Sequence, residues 1–339
     1  MRTARLLGLG RSYYHCVSRV VDRRFVLGDF EKEHFRKTMR KLEVFTGVEV
    51  LTYAVLSNHW HLLLAVPERI ALSEEEVLRR YGVLYGPRAK RDLEGLWGMW
   101  REQGHENLVQ RDLQRLQDRM YDLSVFIKEL KQRFTQWYNR NRRRKGTLWE
   151  ERFKSVLVEG SAHALITMAA YIDLNAVRAG ICKDPKDYRY CGYAEAVGGG
   201  KTARHGLSRI LEGEGQKTEW RDVSRNYRVH LYGVGQHRTK PSGKREKMVP
   251  VITPERAQQV IEEGGVLSRR ELLHCRVRYM ADGMVLGSKE FVNEVFQANK
   301  KRFGYKRQDG ARKLKHGDWG ELYAMRDLRL SVIEAPAST

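Results

Sequence analysis

Two histidines one residue apart, His59 and His61, lie in the run Val55-Leu56-Ser57-Asn58-His59-Trp60-His61-Leu62-Leu63-Leu64-Ala65-Val66, which is otherwise apolar and strand-forming. In a β-strand, alternation puts both imidazoles on one face and turns Trp60, Leu62 and Leu64 toward a core on the other. Paired imidazoles on a buried strand are the donor type for a divalent metal ion. The plainer reading is two surface or hydrogen-bonded histidines. A second pair of chemically capable residues sits far along the chain. Tyr171 and Asn175 are i and i+4 in an apolar, helix-forming stretch, so they share a helix face one turn apart. Taken alone, a tyrosine among Ala169, Ala170 and Ile172 reads as core packing, and the asparagine as polar surface.

These residues need elements to hold them. Ser12 to Val21 alternates as a strand, with His15 and Arg19 on its more polar face. His15 there reads as an edge histidine rather than a DNA contact. A helix from Asp29 to about Thr46 carries the stripe Phe35, Met39, Leu42 and Phe45, and Gly47 ends it. The stretch from Val48 to Val66 follows as a strand with a break near Ser57-Asn58. This β-α-β opening is the first half of a ferredoxin-like split βαβ. Residues 68–123 are charged, helical and interrupted by glycines, a helical insertion whose Ser73-Glu74-Glu75-Glu76 is a capping box. A helix over about Ser124 to Arg140 runs into the basic cluster Arg142-Arg143-Arg144-Lys145, and Thr147 to Glu159 reads as a strand. The helix of Tyr171 and Asn175 then spans Ser161 to about Val177. Gly198-Gly199-Gly200-Lys201 lacks the spacing of a phosphate-binding loop and reads as a flexible linker.

The chain has 339 residues, 41% of them hydrophobic, enough for a sizeable core and a soft indication of two domains. Its 63 Lys and Arg against 42 Asp and Glu leave a net charge of +21, which points to a polyanion partner, most often nucleic acid. No segment approaches the roughly 18 apolar residues that a membrane span needs. Four scattered cysteines without CxxC spacing argue against a disulfide framework or a zinc ribbon and fit a reducing cytoplasm.

Read together, the two pairs are specific. Asn58-His59-Trp60-His61, the segment from Tyr171 to Gly180, Gly146 to Ser155 ahead of it, and Tyr14-His15 followed by Arg23-Arg24 resemble the single-tyrosine HUH transposases. The branch they resemble is that of the REP-associated tyrosine transposases, over roughly residues 11–196. The resemblance implies an α+β fold, a ferredoxin-like antiparallel sheet forming an HUH nuclease core, in a catalytic domain over 1–200 that is longer than a minimal member by its helical insertion. The family core does not explain the rest: residues 201–250 read as a basic linker region, with a linker at Pro241–Lys247, and 251–339 as a helical C-terminal domain, with helix starts at Thr253-Pro254, Ser268 and Ser288, that binds DNA or pairs subunits as a homodimer.

The resemblance also implies metal-dependent nicking and joining of single-stranded or hairpin DNA. Tyr171 would be the nucleophile forming a 5′-phosphotyrosine, and His59, His61 and Asn175 would hold Mg²⁺ or Mn²⁺, hard cations suited to a mixed nitrogen and oxygen set. Arg142, Arg143, Arg144, Lys145, Arg152 and Lys154 would contact DNA, and the protein would be cytoplasmic and nucleoid-associated. A solvated helix end is the competing reading of the basic cluster. The alternative function is a non-cleaving DNA-binding regulator on the same scaffold. Ala176 stands where many relatives have proline, a change expected to be harmless because it follows the ligand.

Overall fold

A computed structural model describes residues 5, 6, 8, 10–212, 219–232, 259, 260, 263, 268–274, 277–303, 306–315 and 317–325. The Pro241–Lys247 linker and the helix start at Thr253-Pro254, both expected from sequence, lie outside them. The first strand, β1 (Ser12–Arg19), is followed by α1 (Asp29–Thr46), β2 (Glu49–Val55) and β3 (His59–Val66). The break expected near Ser57-Asn58 is a full chain reversal. Val55 pairs with Trp60, and the Leu56 N–H donates to the His59 carbonyl at 2.8 Å. Ser and Asn are turn formers, and a reversal here lets both halves of the run bury their apolar residues in one sheet.

Helices α2 (Glu74–Tyr85), α3 (Pro87–Glu102) and α4 (Glu106–Gln117) form the expected insertion, with Ser73 Oγ accepting the Glu76 N–H at 3.3 Å as N-cap. Then come α5 (Leu123–Asn141), β4 (Lys154–Val158), α6 (Ala162–Asp173) and the single turn α7 (Asn175–Arg178). The first four strands lie in the order β2-β3-β1-β4, all antiparallel. That is the ferredoxin-like arrangement expected from the opening β-α-β. One sheet face buries Trp60 against Phe35 of α1, ring centroids 5.7 Å apart, and Phe35 against Phe134 of α5. The other face carries the histidines and is covered by α6. That helix is buried from Ala164 to Asp173 because it is apolar all round and packed on more than one side.

Beyond α6 the structure differs from the sequence reading in two places. The Gly198-Gly199-Gly200-Lys201 stretch is no linker: after a turn at Gly199 (φ +97°), Lys201 opens α9 (Lys201–Glu212), which follows α8 (Gly192–Val197). Gly206 of α9 lies so close to β2 that a Cβ would meet the Leu51 carbonyl oxygen at 2.4 Å. Helix α10 (Trp220–Tyr232) packs on α9 and α6.

In the C-terminal stretch the sequence predicts one helix from Ser268 through Met280, but two short ones form, α11 (Arg269–Leu273) and α12 (Arg278–Asp282); the helix expected from Ser288 is α13 (Lys289–Ala298). The stretch also adds β5 (Val285–Gly287), β6 (Arg312–Lys313) and β7 (Tyr323–Ala324) to the same sheet. The described sheet runs β2-β3-β1-β4-β5-β7-β6, and the β4–β5 pair is parallel, so the sheet is mixed rather than wholly antiparallel. A crossover through the intervening helices returns the chain in the direction of β4, which makes that pairing parallel.

Candidate active site

Strand register sets the histidine face. Val17 of β1 pairs with His61, and on its other side with Lys154 of β4, so Ala54, His61, Val17 and Lys154 form one row across the sheet. His15 lies one step along β1 on the same face, diagonal to His61 and within imidazole reach. The two rings are stacked, with centroids 5.0 Å apart and planes 15° from parallel. His15 Nε2 lies 2.8 Å from His61 Nδ1, while His15 Nδ1 lies 2.7 Å from the Met280 carbonyl oxygen on α12. Burial without a compensating charge lowers the His15 pKa to about 4 and holds that of His61 well below the ordinary histidine value, so both are neutral at pH 7.

His59 is half-buried at the head of β3, with its ring centroid 5.1 Å from that of His61. Its Nδ1 is 2.6 Å from Asn58 Oδ1, and Asn58 Nδ2 donates to the Arg23 carbonyl at 3.0 Å. The Arg23 contact fixes which way round the Asn58 amide lies. Asn58 Oδ1 therefore accepts the His59 Nδ1–H, and in a neutral ring this puts the lone pair on Nε2. Arg23 and its neighbour Asp22 both take left-handed backbone, at φ 54° and 57°. The turn ahead of the histidines is thus tied to a sharply bent loop leaving β1.

Tyr171 is 1% exposed. Its ring meets His15 and His61 edge-on, with centroids at 6.2 and 6.3 Å, and the Arg178 guanidinium lies over its face 4.1 Å from the centroid. The single helix expected through Val177 breaks at Leu174, and α7 continues it for one turn. Side chains take over the carbonyls at the break: Asn175 Nδ2 donates to Tyr171 O at 3.3 Å and to Ile172 O at 3.0 Å, and Arg178 also donates to Tyr171 O. Those bonds orient the buried Asn175 amide through its nitrogen, which leaves Oδ1 as the atom suited to a cation. Arg178 further donates to the Leu273 carbonyl at 2.7 Å.

Asp173, between Tyr171 and Asn175 in sequence, is fully buried and anchors this helix. Its Oδ1 accepts from Thr52 Oγ1 at 2.8 Å and from the Tyr193 N–H at 3.2 Å, and its Oδ2 from Tyr227 Oη at 2.5 Å. Desolvation outweighs those donors and raises its pKa from 3.8 to about 7.

Among the described residues no group of three or more His, Cys, Asp or Glu could hold a metal ion. A cation here would rest on His59, His61 and the amide oxygen of Asn175, with coordination positions left for water or phosphate oxygens. Asn58 holds the hydrogen of a neutral His59 ring on Nδ1 and its lone pair on Nε2, and with His61 and the amide oxygen of Asn175 that set of nitrogen and oxygen ligands fits a divalent cation.

The basic residues divide. Arg142 is bound to the buried carboxylate of Glu31, its Nε donating at 3.0 Å, and Arg144 donates to the Thr147 carbonyl at 2.7 Å. Lys154, on the histidine row, has its ammonium 2.7 Å from Asp282. Arg143, Lys145 and Arg152 are exposed. The sequence reading missed His15, Asp173 and Arg178 as site residues. The alternation of β1 did put His15 on the face of Arg19, but only the antiparallel pairing of β1 with β3 brings that face to His61.

Residues 9–75 match a protein family described as transposase IS200 like. No curated protein matches the chain in sequence. One solved structure, described as a REP-associated tyrosine transposase bound to a REP hairpin, is similar at 16% identity with a TM-score of 0.38; the similarity covers 59% of this chain and 87% of that one. No helix among the described residues is long and apolar enough to cross a membrane. The segment holding β1, α1 and the His-Trp-His hairpin thus carries the sequence pattern of the IS200-like transposases.

Proposed function

We propose that this chain is a metal-dependent transposase that nicks and rejoins single-stranded DNA through a 5′-phosphotyrosine, acting on hairpins of palindromic repeats. The observation that carries the reading is the meeting of Tyr171 with His61, ring centroids 6.3 Å apart, although β3 and α6 are remote in sequence. The family match over residues 9–75 and the net charge of +21 support the same reading. The hairpin bound to the similar solved structure suggests the form of the substrate.

In the proposed reaction Tyr171 Oη attacks the scissile phosphate. The Oη–P bond forms as the bond from phosphorus to the 3′-oxygen breaks. The phenol proton passes to water, and the departing oxygen takes one up as a free 3′-OH. One phosphodiester is exchanged for another, so rejoining requires no nucleotide cofactor. Bound Mg²⁺ or Mn²⁺, held by His59, His61 and Asn175, supplies Lewis-acid polarisation of the phosphate oxygens. Arg178, already over the Tyr171 ring, holds a fixed positive charge beside the developing phenolate. Because Tyr171 is buried, attack requires the α6–α7 segment to move away from the sheet when DNA enters. Arg143, Lys145 and Arg152 are exposed cations ahead of the catalytic segment in sequence, and they contact the DNA backbone in this reading.

The test is incubation with labelled hairpin-flanked single-stranded DNA and Mn²⁺, resolved by denaturing electrophoresis. Wild type forms a covalent adduct and Tyr171→Phe does not. Binding without cleavage under several metals would instead favour the regulator.

A further inference from the structure

Three buried residues, Met280, His15 and His61, joined by two short polar contacts, tie the C-terminal part of the sheet to the histidine pair. We propose that His15 is a positioning residue that sets the tautomer and orientation of His61, and that the Met280 carbonyl anchors it. The stretch carrying α12 and β5 then completes the site begun by the β2–β3 hairpin. The inference rests on the reading of His59 and His61 as metal ligands.

The argument is one of donors and acceptors. A carbonyl oxygen only accepts, so the Met280 oxygen, 2.7 Å away, places the hydrogen of a neutral His15 ring on Nδ1. Its Nε2 then carries a lone pair, which faces His61 Nδ1 at 2.8 Å. Two lone pairs cannot face each other at that distance, so His61 Nδ1 carries the hydrogen and donates it. The lone pair of His61 is left on Nε2, the nitrogen a cation would use. Asn58 Oδ1 does the same for His59 from the other side. Both candidate ligands therefore have a partner on Nδ1, the arrangement by which proteins orient metal-binding histidines. His15 and Met280 are each fully buried and His61 is 4% exposed, so water does not compete for these bonds.

A histidine kept only for packing would leave the tautomer of His61 unaffected, and that separates the two roles. The experiment uses the full chain, labelled with ¹⁵N in its histidine rings, and two variants. His15→Leu fills the space without an acceptor, whereas His15→Gln offers Oε1 to the His61 Nδ1–H. In metal-free wild type, two-bond ¹H–¹⁵N correlation spectra are expected to show His15 and His61 both protonated at Nδ1. Mn²⁺ binding, followed by the electron paramagnetic resonance of the free ion, is expected to weaken about 10- to 100-fold in His15→Leu and to recover largely in His15→Gln.

An Nε2-protonated His61 in wild type would overturn the proposal, as would wild-type Mn²⁺ affinity in a folded His15→Leu. Should that variant fail to fold, the wild-type tautomers decide. Wild type that shows the relay but binds no Mn²⁺ would leave the positioning role intact and sink the metal-ligand reading beneath it.

Discussion

Asp173→Asn isolates the anchor that holds the tyrosine helix. The carboxyl is fully buried, and its pKa is raised from 3.8 to about 7 by desolvation. A group whose folded-state pKa is raised stabilises the fold in its protonated form. That stability is fully present below the unfolded-state value, near pH 4, and is lost as pH climbs toward 7. A gap of about three pH units, at about 1.4 kcal/mol each, amounts to about 4 kcal/mol lost across that window. Asparagine mimics the protonated carboxyl. Its Oδ1 can still accept from Thr52 and Tyr193, and its amide nitrogen can donate to Tyr227, where the carboxylate accepted.

Urea unfolding of wild type and Asp173→Asn at several pH values between 4 and 8 gives the difference between two stability curves. Taking the difference matters because His15 and His61, buried neutral, act in the opposite direction: they favour unfolding as pH falls below the ordinary histidine value. Both are present in each protein and cancel. The expected result is near-equal stability around pH 4 and an advantage of about 4 kcal/mol for the variant by pH 7 to 8. Parallel curves across the window would refute the reasoning, because Asp173 would then titrate alike in the folded and unfolded chain. Asp173→Ala, which strands three buried donors, is expected to lose stability throughout the range, about 1 to 3 kcal/mol for each donor left unpaired.

Two further outcomes follow from the same packing. Trp60→Ala empties the core between the sheet and α1, where the indole is fully buried against Phe35; thermal or urea unfolding should show a loss of about 3 to 5 kcal/mol, and a loss below about 1 kcal/mol would mean that the face is not packed as described. Arg178→Met removes bonds to the Tyr171 and Leu273 carbonyls and the cation over the tyrosine ring, and should cost about 2 kcal/mol with faster amide hydrogen exchange around Leu273. Unchanged exchange there would show that Arg178 does not fasten α7 to the C-terminal stretch.

How far the sequence could be read depended on whether a feature is local. The His-Trp-His alternation and the Tyr171–Asn175 spacing are properties of single elements, so both pairs were visible before any fold was known. The Phe35, Met39, Leu42 and Phe45 stripe and the Ser73 cap were visible for the same reason. His15 became a site residue only through strand pairing, and its second partner, Met280, comes from the far end of the chain. Asp173 reads as an ordinary polar residue until three distant donors converge on it. The strands at Val285–Gly287, Arg312–Lys313 and Tyr323–Ala324 are too short to carry a two-residue period, so the C-terminal stretch read as helices alone. The reversal at Ser57-Asn58 registered as a break, yet one apolar run on both sides gave no sign that it folds back on itself. Asn175 and Arg178 end α6 with side-chain bonds to its carbonyls, a local effect that helical periodicity does not express.

The central claim is that Tyr171 joins DNA covalently at the histidine site. Full-length protein with hairpin-flanked single-stranded DNA and Mn²⁺, digested with protease and examined by mass spectrometry, should yield a nucleotide attached to the peptide containing Tyr171. Tyr171→Phe should bind the same DNA without forming an adduct. DNA cut by wild type with no adduct, or an adduct that persists in Tyr171→Phe, would contradict the account.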